Sequence, residues 1–138
     1  CRFGDPECQA LMPLMGPEFS VVLQACAMGC LDLAPELFIV NQCSACVVAA
    51  AAGYPDSPRI NDPINIQLDP DSDLQLFHAG TICNADGKLL TAGGRVLSVV
   101  AQAKNFDEAF QKAYKGLEQI DFQGITYRRD IGHQVREI

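Results

Sequence analysis

Arg95-Val96-Leu97-Ser98-Val99-Val100-Ala101 and, three residues later, Asn105-Phe106-Asp107-Glu108-Ala109-Phe110-Gln111-Lys112-Ala113-Tyr114-Lys115-Gly116-Leu117 set two hydrophobic periods side by side. The first run is apolar and rich in valine, which predicts a buried strand. In the second, Phe106, Ala109, Phe110, Ala113, Tyr114 and Leu117 recur at i, i+3, i+4, i+7, i+8 and i+11, the stripe of a helix that buries one face. Asn105 offers the short carbonyl of an N-cap, and Glu108 stands where a capping box places it.

Upstream of the strand, Gly93-Gly94 marks a bend or bulge where a side chain would obstruct a close backbone approach. Leu74 to Thr81 reads as a strand, Asn84-Ala85-Asp86-Gly87 as a turn and Lys88 to Thr91 as the returning strand. Ala45 to Ala52 is a short apolar run bounded by Gly53-Tyr54-Pro55, the pattern of a buried strand. Residues 55–73 carry Pro55, Pro58, Pro63 and Pro70 among Asp and Asn residues, a loop composition interrupted by the alternating strand Ile64-Asn65-Ile66-Gln67-Leu68. Ile120 to Phe122 and Ile125 to Tyr127, either side of Gly124, suggest a final pair of short strands.

Two helices precede all of this. Asp5-Pro6 looks like an N-cap acid followed by proline at the first helical position, with Cys8, Leu11, Met12 and Met15 at helical spacing up to Gly16-Pro17. The second runs from Pro17 to about Met28, with Phe19, Val22, Leu23 and Cys26 as its stripe and Gly29 near its end. Pro35 excludes a long helix through 31–42, which reads as a connection. The expected class is α+β: two N-terminal helices, then a small, mostly antiparallel sheet with one packed helix.

At 138 residues, 49% hydrophobic and 20% charged, the chain can bury a core without disulfides or metal. A formal charge of -7 argues against nucleic acid, and Arg128-Arg129 with Arg136 is too small a cluster to hold a duplex. The longest apolar run, Cys43 to Gly53, is about half the ~20 residues of a membrane helix, so no membrane partner is expected. The start at Cys1-Arg2-Phe3, without an initiator Met or a secretory signal, reads as a fragment. Seven cysteines leave at least one unpaired in any all-disulfide scheme. Cys26 and Cys30 sit in a helical pattern. Cys43 and Cys46 on a strand point to opposite faces, poorly placed to share a metal. Buried, reduced thiols are the expectation, against a cysteine-based metal or redox protein.

Arg2-Phe3-Gly4-Asp5-Pro6-Glu7 holds one guanidinium and two carboxylates within six residues. Arg2 can bind a carboxylate or phosphate, and Asp5 or Glu7 an ammonium, as an amino-acid substrate would require. The competing reading has both acids serving only the positive end of a helix. His78, Thr81, Gly93, Gly94 and Arg95 form a second group, in which backbone amides beside paired glycines and one arginine suit a phosphate. The competing reading there is a turn glycine pair, an Arg95 bridging to an acid and a His78 satisfied within the sheet. Arg128, Arg129 and Asp130 suggest an ion-paired seam.

Arg2-Phe3-Gly4-Asp5-Pro6-Glu7 with Gln9, then Gly53-Tyr54-Pro55, Phe77-His78-Ala79-Gly80-Thr81, Gly93-Gly94-Arg95-Val96-Leu97 and Tyr127-Arg128-Arg129-Asp130-Ile131-Gly132, resemble in order the C-terminal third of the phosphoribosylamine–glycine ligase family, ATP-grasp enzymes of purine synthesis. The likeness covers essentially the whole chain and is weakest at 31–42 and 56–73. There Asp56, Asn61 and Asp62 stand where the family usually has Gly and Lys-Gly. It implies a rudiment-single-hybrid-like domain at 43–138, a connection at 33–42 and the closing segment of the catalytic core at 1–32.

It further implies a reaction: glycine, activated by ATP as glycyl phosphate, is attacked by 5-phosphoribosylamine to give glycinamide ribonucleotide, ADP and phosphate. Arg2, Asp5 and Glu7 would be catalytic, and Gly4, His78, Thr81, Gly93, Gly94 and Arg95 substrate-binding. Mg²⁺ (or Mn²⁺) would be held by a Glu and an Asn upstream of Cys1, so no metal ligand is expected in this chain. The implied partners are the missing nucleotide-grasping and N-terminal domains, in the cytoplasm, and this chain alone would be inactive. The alternative is a non-catalytic binding or interaction domain.

Overall fold

The computed structural model describes residues 2–136. Its centre is β6 (Arg95–Ala103), flanked on both sides by antiparallel neighbours, β1 (Cys43–Ala50) and β3 (Leu74–His78). Ala45 pairs with Ala101, Val47 with Val99 and Ala49 with Leu97, so these side chains share one face of the sheet. Against that face lies α3 (Phe106–Leu117), presenting Ala109, Phe110, Ala113 and Leu117. The alanines on both surfaces let helix and sheet approach closely. Leu97, Val99 and Leu117 are almost wholly buried, each worth roughly 1.5–3 kcal/mol of apolar transfer. Asn105 caps α3, its Oδ1 accepting from Glu108 N at 2.9 Å. The α+β class and mostly antiparallel sheet read from the sequence are the ones observed.

The opposite face, with Ser98 and Val100, is buried where α1 (Glu7–Leu11) lies against β1 and β6. Pro13 then permits only a 3-10 turn, Met12–Leu14. The first helix start differs from expectation: the Asp5-Pro6 peptide is cis, Pro6 occupies the N-cap position and no side chain caps it. The Asp5 carboxylate is directed elsewhere. Helix α2 (Phe19–Met28) begins two residues after Pro17 and stops at Gly29, whose left-handed φ of 71° suits a glycine. Its stripe is not a buried one. Ala25 is its buried residue, while Leu23 and Cys26 are exposed and Phe19 meets Phe3 edge-on at 5.8 Å. Cys26 and Cys83 are exposed, contrary to the expected burial of the thiols.

Two strand assignments also change. The run 74–81 breaks at Ala79-Gly80, because the Gly80 amide turns back to Arg95 O at 2.8 Å; β4 (Thr81–Cys83) and β5 (Leu89–Thr91) then form a separate hairpin. Its turn is held by Asn84 Oδ1, which accepts from the amides of Asp86 and Lys88. The strand β7 (Ile120–Asp121) pairs with β2 (Asn65–Ile66), not with 125–127. Gly124, at φ 72°, turns the chain so that Thr126 instead bridges to Ala50.

The divergent loop is tied down by Asp62, only 6% exposed. Arg59 Nε donates to both its oxygens at 2.9 and 2.8 Å, and Arg59 Nη2 reaches Gln123 Oε1 at 2.8 Å. The Asp62 backbone exchanges bonds with Thr91 of β5. Asp62 is thus structural. Asp62→Ala leaves Arg59 half-paired and should lower unfolding free energy by about 1–3 kcal/mol, read as a reduced urea midpoint; an unchanged midpoint contradicts this role.

Candidate functional site

Arg95 opens β6, and a β-bulge decides where it points. Leu97 pairs with Ala49, but Ala50 pairs with Arg95, so one extra β6 residue is inserted between the two pairs. Strict alternation would send Arg95 to the α3 face with Leu97. The inserted residue returns it to the α1 face, while Val96 and Leu97 both enter the α3 core at 0% exposure. There the guanidinium meets the N-terminal loop. Arg95 Nη1 donates to Asp5 O at 2.7 Å and Nη2 lies 3.2 Å from Asp5 Oδ2.

Asp5 is thereby committed. Its other oxygen, Oδ1, accepts from Gln9 Nε2 at 2.9 Å. The acid read as a holder of substrate ammonium is, in this structure, the link between two segments 90 residues apart. Glu7 keeps an exposed carboxylate folded over Gly4, which has no side chain to block it. Arg2 is exposed, with no partner among the described residues.

The second predicted group is brought together only in part: His78 pairs with Leu97 and shares its α3 face, whereas the bulge sends Arg95 to the α1 face. His78 ends β3, and its Nδ1 lies 3.1 Å from Thr81 Oγ1, both at the solvent side of the corner. Gly80 and Gly93 cross so closely that a Cβ on Gly80 would come within 2.7 Å of Gly93 Cα and 2.8 Å of Arg95 O. Gly94 lies under the Tyr54 ring, which a Cβ there would strike. The glycine pair therefore has a packing reason. It also leaves two backbone amides, of Gly93 and Gly94, that donate to no other group among the described residues. Sequence reasoning missed the joining of the two groups through Arg95 and the lid that Tyr54 makes. The signal available was Gly93-Gly94 immediately before an arginine that opens a strand.

Arg128 and Asp130 pair with each other, at 2.9 and 2.6 Å. The hydrogen bonds from Arg128 hold the Asp130 carboxyl below its usual range and raise the guanidinium in turn. Arg129 lies over the Tyr127 ring, 5.3 Å from its centroid. All are local contacts on the surface.

No cluster of three or more His, Cys, Asp or Glu among the described residues could hold a metal ion. Asp5 and Glu7 do not by themselves fit one. No helix among the described residues is long and apolar enough to cross a membrane.

The profile described as "Phosphoribosylglycinamide synthetase, C domain" matches residues 44–134, and the chain belongs to that family. The phosphoribosylamine–glycine ligase of Synechocystis is 48% identical over 135 residues, covering 97% of this chain and 32% of the relative. The trifunctional purine biosynthetic protein adenosine-3 of Gallus gallus is 38% identical over 135 residues, covering 97% of this chain and 13% of the relative. The crystal structure of phosphoribosylamine–glycine ligase from Thermotoga maritima superposes with a TM-score of 0.80 at 35% identity, over 94% of this chain and 31% of that one. The chain thus spans about a third of the ligases it matches and corresponds to their C-terminal portion.

Beside the Asp5-Arg95 junction sits Cys46. Burial pushes its thiol up to about 11, partly offset by a hydrogen bond with Ser98 and reinforced by the Asp5 charge. At pH 8 only about one part in a thousand is then thiolate, the reactive form. Iodoacetamide at pH 8 should label exposed Cys26 and Cys83 and leave Cys46 unmodified in peptide mass maps. Labelling of Cys46 as fast as Cys83 contradicts its shielded setting.

Proposed function

We propose that this chain is the C-terminal part of a cytoplasmic ligase that joins glycine to 5-phosphoribosylamine, giving glycinamide ribonucleotide, ADP and phosphate in purine synthesis. The observation that carries the proposal is the Arg95-Asp5 contact, which brings the acidic loop and the glycine corner to one place. A substrate with an amine at one end and a phosphate at the other needs two such groups at a fixed separation.

Arg2, exposed and unpartnered among the described residues, is the group for the glycine carboxylate or the phosphoryl oxygens formed on it. Its planar fork matches either and keeps its charge. Glu7 is the carboxylate free to hold an ammonium or receive a proton from the attacking amine. Asp5 acts through Arg95 and is a positioning residue. The amides of Gly93 and Gly94 with the Arg95 Nε are the groups for the phosphate, while His78 and Thr81 lie on the other face of the sheet and are not part of that corner. When bound, ATP with Mg²⁺ supplies the phosphoryl group, and the residues holding them lie outside this chain.

The domain reading belongs to the same proposal: 1–32 closes the catalytic core, 33–42 connects, and 43–138 is the C-terminal domain. Its support is the distribution of exposed apolar side chains. Leu23, Met28, Leu31, Leu33 and Phe38 are all in the first segments, Leu33 at 79% exposure. A face of that kind is expected to be covered by the rest of the ligase.

In the full-length ligase, Arg2→Ala should lower kcat by about a hundredfold or more, measured as ADP formed with glycine and 5-phosphoribosylamine. Arg95→Ala should raise KM for 5-phosphoribosylamine by about tenfold or more with a smaller change for glycine. Near-normal kcat for the first, or a KM rise confined to glycine for the second, removes these roles.

A further inference from the structure

We propose that the outer edge of β1 receives an extended segment from the part of the ligase outside this chain, adding a strand to the three-stranded β1-β6-β3 sheet. The inference rests on the reading of the chain as one part of a ligase.

The edge is already started. Ala50 N donates to Thr126 O at 2.7 Å, and Thr126 N to Ala50 O at 2.9 Å, so both polar groups of Ala50 point away from β6. Backbone groups alternate along an antiparallel strand, so those of Val48 and Cys46 also point outward while Ala49 and Val47 bond to β6. Among the described residues, none bonds to the outward groups of Cys46 or Val48.

Beyond Thr126 the chain leaves this edge. Tyr127 and Ile131 pack toward the core under α3, and Tyr114 Oη donates to Arg128 O at 2.9 Å, drawing the backbone away. The gap is a groove of about 640 Å³, with Cys46 and Val48 along its floor, Pro6 and Arg95 on one side and Tyr127 and Ile131 on the other. From Ser44 to Val48, short of the bridge at Ala50, the open edge offers about 13 Å, enough for a short strand.

Cys43-Ser44-Ala45-Cys46-Val47-Val48-Ala49-Ala50 carries no charge or proline, and the bulge lies on β6, so β1 lacks the devices that protect an open edge. Side chains line the groove on both faces of the edge, a shape that suits one extended chain. The Synechocystis ligase is about three times the length of this chain, which covers 32% of it, so an intramolecular segment is available. Its side chains would alternate between the Pro6-Arg95 wall and the apolar Tyr127-Ile131 wall.

Residue-resolved hydrogen exchange on the full-length ligase, run beside a turnover assay, tests this. The amides of Cys46 and Val48 should be protected to within about tenfold of Val47 and Ala49. Exchange about a thousandfold faster than at Val47 and Ala49 overturns the proposal. So does protection that appears only with added substrate, or that rises with protein concentration, which would indicate a small ligand or a second copy. An enzyme that turns over with an open edge refutes this inference alone; a protected edge without turnover refutes the ligase reading alone.

Discussion

One guanidinium holds the candidate site together. Arg95 grips both the backbone carbonyl and the carboxylate of Asp5, and Asp5 in turn accepts from Gln9 on α1. Through that chain of contacts the Arg-Phe-Gly-Asp-Pro-Glu loop, the first helix and the strand that carries the core become one assembly. The pair is about half exposed, 40% for Arg95 and 47% for Asp5. Solvent screening keeps its direct contribution to stability near that of surface pairs, about 0–1 kcal/mol. Its importance is geometric. Among the described contacts, no other side-chain bond reaches the loop from β6.

That geometry depends on packing in the rest of the fold. The bulge that turns Arg95 to the α1 face is sustained because Val96 and Leu97 both find places in the α3 core. The corner beside it closes because Gly80 and Gly93 have no side chains to hold their backbones apart. A core interaction and a steric allowance thus aim one polar side chain.

Much of this was legible beforehand, and the unevenness has physical causes. The strand at 95–103 and the capped helix at 106–117 were readable because each carries its own period and, for the helix, its own cap; neither needs distant residues to be recognised. The Asn84-to-Gly87 turn was readable for the same reason. The partner of Ile120–Asp121 was not, because pairing across 54 and 56 residues leaves no local trace and Gly124 turns the chain away from the nearer candidate. The start of α1 was misread because Asp5 has the chemistry of a cap but is claimed by Arg95. The stripe of α2 was correctly periodic yet largely exposed here, since periodicity reports that a face is apolar and not what covers it. Of the site residues, the neighbourhood of His78 and Thr81 followed from the strand order, whereas the turning of Arg95 to the other face and its junction with Asp5 required the bulge.

A double-mutant cycle between Asp5 and Arg95 in the full-length ligase measures the central contact most directly. If Arg95 acts on the loop through Asp5, the combined Asp5→Ala, Arg95→Ala enzyme should lose little more kcat/KM than Arg95→Ala alone, a coupling of about 0.5 kcal/mol or more. Losses that simply add, to within about 0.3 kcal/mol, would show that the two residues act independently and would contradict the account.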